Sequence, residues 1–465
     1  MSHANGAAGG DRAERENRKQ DIQGALASPD VHGSAPAAYQ PWWLRLLPFL
    51  GRVPDGVSRD QVKLLGAVAL ALLFEHYDVS TLGNASKYIR ESFGLPQSEV
   101  GSLLAWVRFG ALPAVLLVPL ADQLGRKRLF LCSVVGSSAG TLLTAFTQTF
   151  GQFVAAQMLV RSCLIAGSAA AFVVVAEELP ARSRGWGIGI LGALALLGYG
   201  LGALLFSFIE RLPHGWRMLY APGVVPLLFL PYFARHVPET QRFQQARASA
   251  GAAGMHGWLR PFATLARAYP GRMAIVGAVA MLAASGHAAA HGVVGDYVLT
   301  DRGWSPERYS ALVIAGGALG IVGNTVAGRL ADRFGRRGLG FGVLAGFPPA
   351  AIAVYSTDGW LLAGSWIALV FVTTGGNTII RALSAELFPT SSRSTAVGSL
   401  ALFETLGAVA GLALITSLTP EGASIALAVR GIVWVVLAGA VLVLLLPETA
   451  RRELEELNEP PKSPR

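Results

Sequence analysis

Leu120-Ala121-Asp122-Gln123-Leu124-Gly125-Arg126-Lys127 returns 210 residues later as Leu330-Ala331-Asp332-Arg333-Phe334-Gly335-Arg336-Arg337. Two more motifs repeat at nearly the same offset. Glu177-x-x-Pro180-x-x-x-Arg184 recurs as Glu386-x-x-Pro389-x-x-x-Arg393, and Pro238-Glu239-Thr240 recurs as Pro447-Glu448-Thr449, both 209 residues apart. Three matches in the same order mark an internal duplication. What lies between them is too apolar for a water-soluble domain: of 465 residues, 52% are hydrophobic and 14% charged, against about 25% charged in an ordinary soluble domain. Twelve bilayer-spanning helices of about 20 residues need about 240 apolar residues, which is what this composition supplies.

Apolar runs long enough to cross a bilayer fall near 62–83, 100–120, 129–147, 151–175, 186–208 and 218–234, then near 273–295, 309–331, 339–356, 361–383, 395–417 and 424–446. The expected fold is an all-α membrane protein of twelve transmembrane helices in two pseudo-symmetric six-helix bundles. Six is even, so the two copies insert in the same orientation, related by an axis along the membrane normal. The expected division is a cytosolic tail and interfacial segment over 1–60, a first bundle over 61–234, a cytosolic linker over 235–272, a second bundle over 273–447 and a cytosolic tail over 448–465.

The formal charge of +9 is informative by its placement. With both termini cytosolic, fifteen Lys and Arg fall on inner loops: Arg126, Lys127, Arg128, Arg182, Arg184, six arginines of the linker, Arg333, Arg336, Arg337 and Arg393. Six fall outside: Lys87, Arg90, Arg211, Arg217, Arg302 and Arg308. That asymmetry is what membrane insertion reads, and it leaves no reason to invoke nucleic acid as a partner. Cys132 and Cys163 lie in apolar runs and form neither a disulfide framework nor a metal-binding pair. Asn84-Ala85-Ser86 has the form of a glycosylation sequon on an outer loop. Gly187-x-Gly189-x-x-Gly192 matches a dinucleotide fingerprint only formally, since no strand precedes it. Gly185 with Gly189, Gly198 with Gly202, and Gly316 with Gly320 have the small-xxx-small spacing that lets helices approach closely.

At these motifs the sequence resembles the major facilitator superfamily, over about residues 60–450. That family carries G-x-L-A-D-R-x-G-R-R between the second and third helices of each half; Gly328 to Arg337 matches it fully, whereas the first copy has Val118 for glycine and Gln123 for arginine. Glu177 to Gly185, Gly215-Trp216-Arg217, Glu386 to Arg393 and Pro447-Glu448-Thr449 are similar to signatures of the sugar-porter-like and metabolite:proton symporter branches. The resemblance implies alternating access with no cofactor. Asp122, Arg126, Glu177 and Arg184, with Asp332, Arg336, Glu386 and Arg393, read as a cytosolic gate of ion pairs made and broken at a wet boundary.

Ionisable groups at membrane depth are costly and mark function. Glu75, Arg108 and Arg161 share a depth near the midplane at about 1.5 Å per residue. Asp78 lies one helical turn from Glu75, so two carboxylates and two guanidiniums are expected in one cavity. Glu75-x-x-Asp78-x-x-x-x-Gly83 resembles the D-x-x-D pattern of aromatic- and organic-acid:proton symporters, where such acids are implicated in proton coupling; glutamate at its first position preserves the charge, and the following proline is absent. In the second half His287, His291, Asn377 and Glu404 are expected to line the cavity, and Arg381 sits one turn from the inner end of its helix. Two histidines without a third ligand do not make a zinc site.

Hexose carriers of the family have Gln-Leu-Ser in helix 7, where this chain has His287-Ala288-Ala289-Ala290-His291, and proton-drug antiporters have a proline-containing signature in helix 5 that Gly189 to Gly202 lacks. The expected function is proton-coupled symport of a small organic solute, an organic acid, by a monomer in a bacterial inner membrane. Its partners are solute, protons and lipid. The alternatives are a uniporter or an exporter of another solute and, in a different class, a non-transporting sensor, for which the chain shows no signalling domain. An enzyme would need a nucleophile elbow or paired metal site, and neither pattern is present.

Overall fold

The computed structural model describes residues 40–47, 50–117, 125–239, 259–389 and 393–449. Contacts group residues 1–59 and 60–465 into two compact units. In the first, Trp42–Leu46 form a short helix, and the Gln40 amide bonds Gly51 O and Val53 N. Among the described residues all regular structure is helical.

The second unit holds the membrane spans. They are α1 (Arg59–Asn84), α2 (Val100–Phe109 continued by Ala111–Leu117), α3 (Arg126–Ala145), α4 (Phe150–Glu178), α5 (Arg184–Phe206) and α6 (Gly215–Val224, Val225–Leu228 and Leu230–His236). Then follow α7 (Pro270–Gly292 continued by Val294–Thr300), α8 (Pro306–Phe334), α9 (Arg336–Val354), α10 (Gly359–Glu386), α11 (Arg393–Leu418) and α12 (Ile425–Ile432 and Val435–Val443). A helix over Leu259–Ala268 precedes α7; residues 240–258 of the linker lie outside the described residues. Among the described residues, eight spans are singly long and apolar enough to cross a bilayer, and the bent α6 makes a ninth. The other three are α1, which carries Glu75 and Asp78, α2, broken at Gly110, and the glycine-rich α8. In α6, Pro222, Pro226 and Pro231 each withhold a backbone N–H, which is why that span is not a continuous α-helix.

The two ends of the bundle start their helices differently. Gly125 and Gly335 stand at what is called here the motif end, in matching positive-φ conformations of 99° and 92° that favour glycine. Neither α3 nor α9 has a side-chain cap of its own. Instead Glu239, just beyond α6, accepts from the backbone N–H of Arg126 at 2.7 Å and Lys127 at 3.4 Å. Glu448, just beyond α12, accepts from Arg336 N at 2.8 Å and Arg337 N at 3.1 Å. A side chain at either glycine would collide with that carboxylate. At the far end, α4, α8, α10 and α12 are capped locally by Thr149, Ser305, Asp358 and Ser424, each satisfying an orphan N–H of the first turn.

The duplication extends to packing. A Cβ at Gly198 or Gly202 of α5 would collide with α1 at Leu73, Tyr77 and Ser80, and a Cβ at Gly407 or Gly411 of α11 would collide with the Met281 and Ser285 carbonyls of α7. The pairs α1–α5 and α7–α11 are therefore equivalent close approaches. Gly316 and Gly320 bring α8 against Trp366 and Val370 of α10. Gly185 and Gly189 have open space around them, contrary to expectation, because they sit on a face of α5 that no other helix covers closely. The halves meet where α2 packs on α11 and α5 on α8.

Asn84 corrects another expectation. It is the last residue of α1, 1% exposed, bonded to Ser80 and to the Tyr309 hydroxyl. Its amide is committed inside the protein, so the sequon is no acceptor in this fold.

Candidate functional site

A cavity of about 330 Å³ lies between the halves, at the small end of ligand-binding cavities. From the first half, α1 lines it with Val79, Leu82 and Gly83, α2 with Arg108, α4 with Arg161 and α5 with Tyr199. From the second, α7 contributes His287, His291 and a run of alanines, α10 contributes Asn377 and Arg381, and α11 contributes Glu404. Six of the eight residues expected to surround the solute therefore meet at one cavity.

The exceptions are Glu75 and Asp78. They line a separate pocket of about 30 Å³ behind α1, with Ser137, Ser138 and Thr141 of α3, a space for a water or two. The expected shared cavity of two acids and two guanidiniums is thus two compartments. One residue is about 100° of helix, so with Val79 facing the main cavity Asp78 is turned toward α3. There it is 5% exposed and accepts from the Thr141 hydroxyl at 3.1 Å. Glu75 accepts from the Ser168 hydroxyl of α4.

The charges of the main cavity do not balance internally. Arg381 and Glu404 pair at 3.3 Å, with Arg381 largely exposed at 60%. Arg381 lies near the motif-end terminus of α10, which puts this pair on the motif-end side of the cavity. Arg108 and Arg161 have no hydrogen-bond or ion-pair partner among the described residues, although Arg161 lies within electrostatic reach of Glu75 and Asp78. A guanidinium carries five donors and is never neutral in practice. Two of them facing a cavity without partners invite an anion.

The far end holds a cluster that reading the motifs missed. Arg90, on the short helix Ser86–Ser92 after α1, donates from Nε to Asp296 Oδ2 of α7 at 2.9 Å, with the two side chains 6% and 0% exposed. Around this pair Lys87 donates to Leu299 O at 3.1 Å, Gln97 to Asp301 at 2.6 Å, and Ser102 N to the Thr416 hydroxyl at 2.8 Å. Each of these bonds joins the two halves. Arg90 and Asp296 are 206 residues apart with no shared motif, so no signal in the sequence pairs them.

At the motif end the repeated acids and arginines pair within a half. Arg126 faces Glu177 at 3.9 Å, and Arg336 contacts Glu386. Arg184 differs from expectation: its Nε donates to Leu179 O at 3.2 Å, capping the end of α4 instead of meeting Glu177. Asp122 lies outside the described residues, as do the side chains of Asp332 and Arg393.

A duplicated six-helix unit folded around a central charged cavity defines a multi-pass membrane transporter. The chain matches the family model of the Major Facilitator Superfamily twice, over residues 68–286 and 273–465, and it belongs to that family. It is a secondary transporter and not an enzyme. It is 26% identical over 376 residues to the 3-(3-hydroxy-phenyl)propionate transporter of Escherichia coli, covering 77% of this chain and 87% of that protein. It is 28% identical over 382 residues to the gallate transporter of Pseudomonas putida, covering 76% and 85%. Its fold is similar to the inward-open xylose transporter XylE from E. coli, with a TM-score of 0.67 at 18% identity, covering 85% of this chain and 99% of that one.

Proposed function

We propose that the protein imports a small organic acid together with protons across a bacterial inner membrane, with both termini and the motif end in the cytosol. The observation that carries the anion is the pair of cavity guanidiniums, Arg108 and Arg161, that lack a partner. The named substrates of the two relatives support the same class. In this reading the bundles over 61–234 and 273–447 rock about the cavity, linked by 235–272, and the repeated pairs Arg126–Glu177 and Arg336–Glu386 belong to the cytosolic gate with Asp122, Arg184, Asp332 and Arg393.

Coupling follows from the position of Arg161, which lines the solute cavity and feels the two acids behind α1. With Glu75 and Asp78 ionised, Arg161 is partly neutralised by them and holds a solute carboxylate weakly. Protonating an acid frees that charge for the solute, so solute and proton bind together more tightly than either alone, a reciprocal coupling. Proteoliposomes loaded by an imposed pH gradient test this with 3-(3-hydroxyphenyl)propionate and gallate as solutes. Glu75→Gln and Asp78→Asn are expected to abolish gradient-driven accumulation while leaving solute exchange at equal pH. Arg108→Gln is expected to weaken binding by about tenfold or more, the loss of one charge-assisted contact. Full accumulation in both acid variants would overturn the coupling, and unchanged binding in Arg108→Gln would overturn the anion site.

A further inference from the structure

Rings line the same cavity as the two guanidiniums, and one of them has its proton placed by its neighbours. His291 Nε2 lies 2.8 Å from the Thr373 hydroxyl of α10. That hydroxyl also lies 2.7 Å from the Leu369 carbonyl one turn back. A carbonyl only accepts, and a hydroxyl has one proton, so both contacts are hydrogen bonds only if Thr373 donates to Leu369 and accepts from His291. The neutral His291 ring therefore carries its hydrogen on Nε2, and Nδ1 is left as a bare lone pair with no partner among the described residues. The ring itself is held in place, 5.1 Å from Trp366 and 6.4 Å from Phe347, and it lines the cavity.

An acceptor fixed in this way is redundant for binding a carboxylate, which offers no proton and already has Arg108 and Arg161. It suits a hydrogen-bond donor elsewhere on the same solute. Tyr199 and His287 contribute rings to the lining of the same cavity, and Ala283, Ala284 and Ala288 contribute methyl groups. Such a lining suits a planar ring, whose faces stack on aromatic side chains. We propose that His291 Nδ1 accepts a hydrogen bond from a hydroxyl group on the ring of the transported acid, with Thr373 as the positioning residue that fixes the tautomer. The protein thereby selects hydroxylated aromatic acids over the same acids without the hydroxyl. This deepens the organic-acid reading above and rests on it.

A site built around a hydroxyl discriminates strongly against the analogue that lacks it, because the site's own polar group is then left unpaired. The experiment is equilibrium binding to the purified full chain of matched pairs: benzoate against its 2-, 3- and 4-hydroxy isomers, and 3-phenylpropionate against 3-(3-hydroxyphenyl)propionate. The wild-type protein is expected to bind at least one hydroxylated member about tenfold more tightly than its parent acid. His291→Phe is expected to lose the preference, weakening the hydroxylated acid by about tenfold relative to its parent. Thr373→Val frees the tautomer and reduces the preference, and Thr373→Ser restores it. Absence of any preference in the wild type overturns the proposal, as does a preference that survives His291→Phe. An equal loss for both members of a pair in Thr373→Val overturns the positioning role, since a merely structural threonine would act that way. Should wild type bind none of the six acids, the organic-acid reading itself falls, an outcome distinct from failure of the hydroxyl contact alone.

Discussion

The far end and the motif end of this molecule use the same kinds of charged group for opposite purposes. At the far end, Arg90–Asp296, Lys87–Leu299 and Gln97–Asp301 tie one half to the other. At the motif end, Glu239 and Glu448 tie each half to itself, fastening the start of its third helix to the end of its sixth. In the transport cycle proposed above, the first arrangement serves to hold a mouth shut, and the second to make each half a body able to move as a unit. A carrier that alternates needs both, because an ion pair that closes a mouth must break in every cycle, while one that stiffens a half must not.

The comparison breaks most visibly at Arg90. Its partner Asp296 is fully buried, and it also accepts from the Thr300 hydroxyl at 3.3 Å. Removing one member of a buried pair costs about 3–5 kcal/mol, and here the cost falls on the state closed at the far end. Arg90→Leu is therefore expected to shift the population toward the state open at that end, read as faster labelling of a cysteine placed at Ala288 by an impermeant maleimide added from the far side. Asp296→Asn should shift it less, because Arg90 keeps the Leu95 carbonyl at 2.8 Å and Glu91 at 3.6 Å. If Arg90→Leu labels like wild type, the far-end pair is not what holds that mouth.

Glu239 and Glu448 sharpen the other side of the comparison. Each places a carboxylate on the first N–H groups of a helix, where hydrogen bonding and the helix dipole together contribute about 1–3 kcal/mol. Glu239→Ala and Glu448→Ala are expected to lower the thermal midpoint by similar amounts, with Gln in place of Ala recovering part of the loss because it keeps an acceptor oxygen. Neither should change which side labels Ala288→Cys. A change of side would mean that these acids act between the halves and not within them.

How much of this was legible beforehand depended on whether a residue's partner lay in the same motif or in a distant one. The fold was legible because duplication and apolar length survive in a one-dimensional reading. The repeats of Glu239 and Glu448 were visible, yet their role was not, since a cap supplied from beyond another helix leaves no local pattern. Gly407 and Gly411 were open to discovery: they stand 209 residues after Gly198 and Gly202, the offset already known from the motifs. The facing of Glu75 and Asp78 was not. A span apolar on nearly every side has no polar stripe to orient it, so that both acids face the compartment behind α1 and not the solute cavity was decided by packing alone.

The smallest expected effect tests whether far-end helices are as self-sufficient as their local caps imply. Asp358 begins α10, accepting from the Gly359 N–H at 2.7 Å and from the Trp304 indole N–H at 2.9 Å. These two donors, the backbone one first, hold its carboxyl below the usual carboxylate range. A carboxyl depressed in the folded state stabilises at pH values above its unfolded pKa of about 3.9 and loses that contribution as pH falls through the lower folded value. Asp358→Ala should therefore cost roughly 1 kcal/mol or less at neutral pH, the usual worth of an N-cap, and the gap in midpoint from wild type should narrow only below about pH 4. Because Trp304 precedes α8 and Asp358 precedes α10, the bond stays within one half, and Asp358→Ala should leave the labelling pattern of Ala288→Cys untouched. A shift of that pattern toward the one expected for Arg90→Leu would show that local caps at the far end also bear on closure, and the division between fastening a half and joining two halves would no longer hold there.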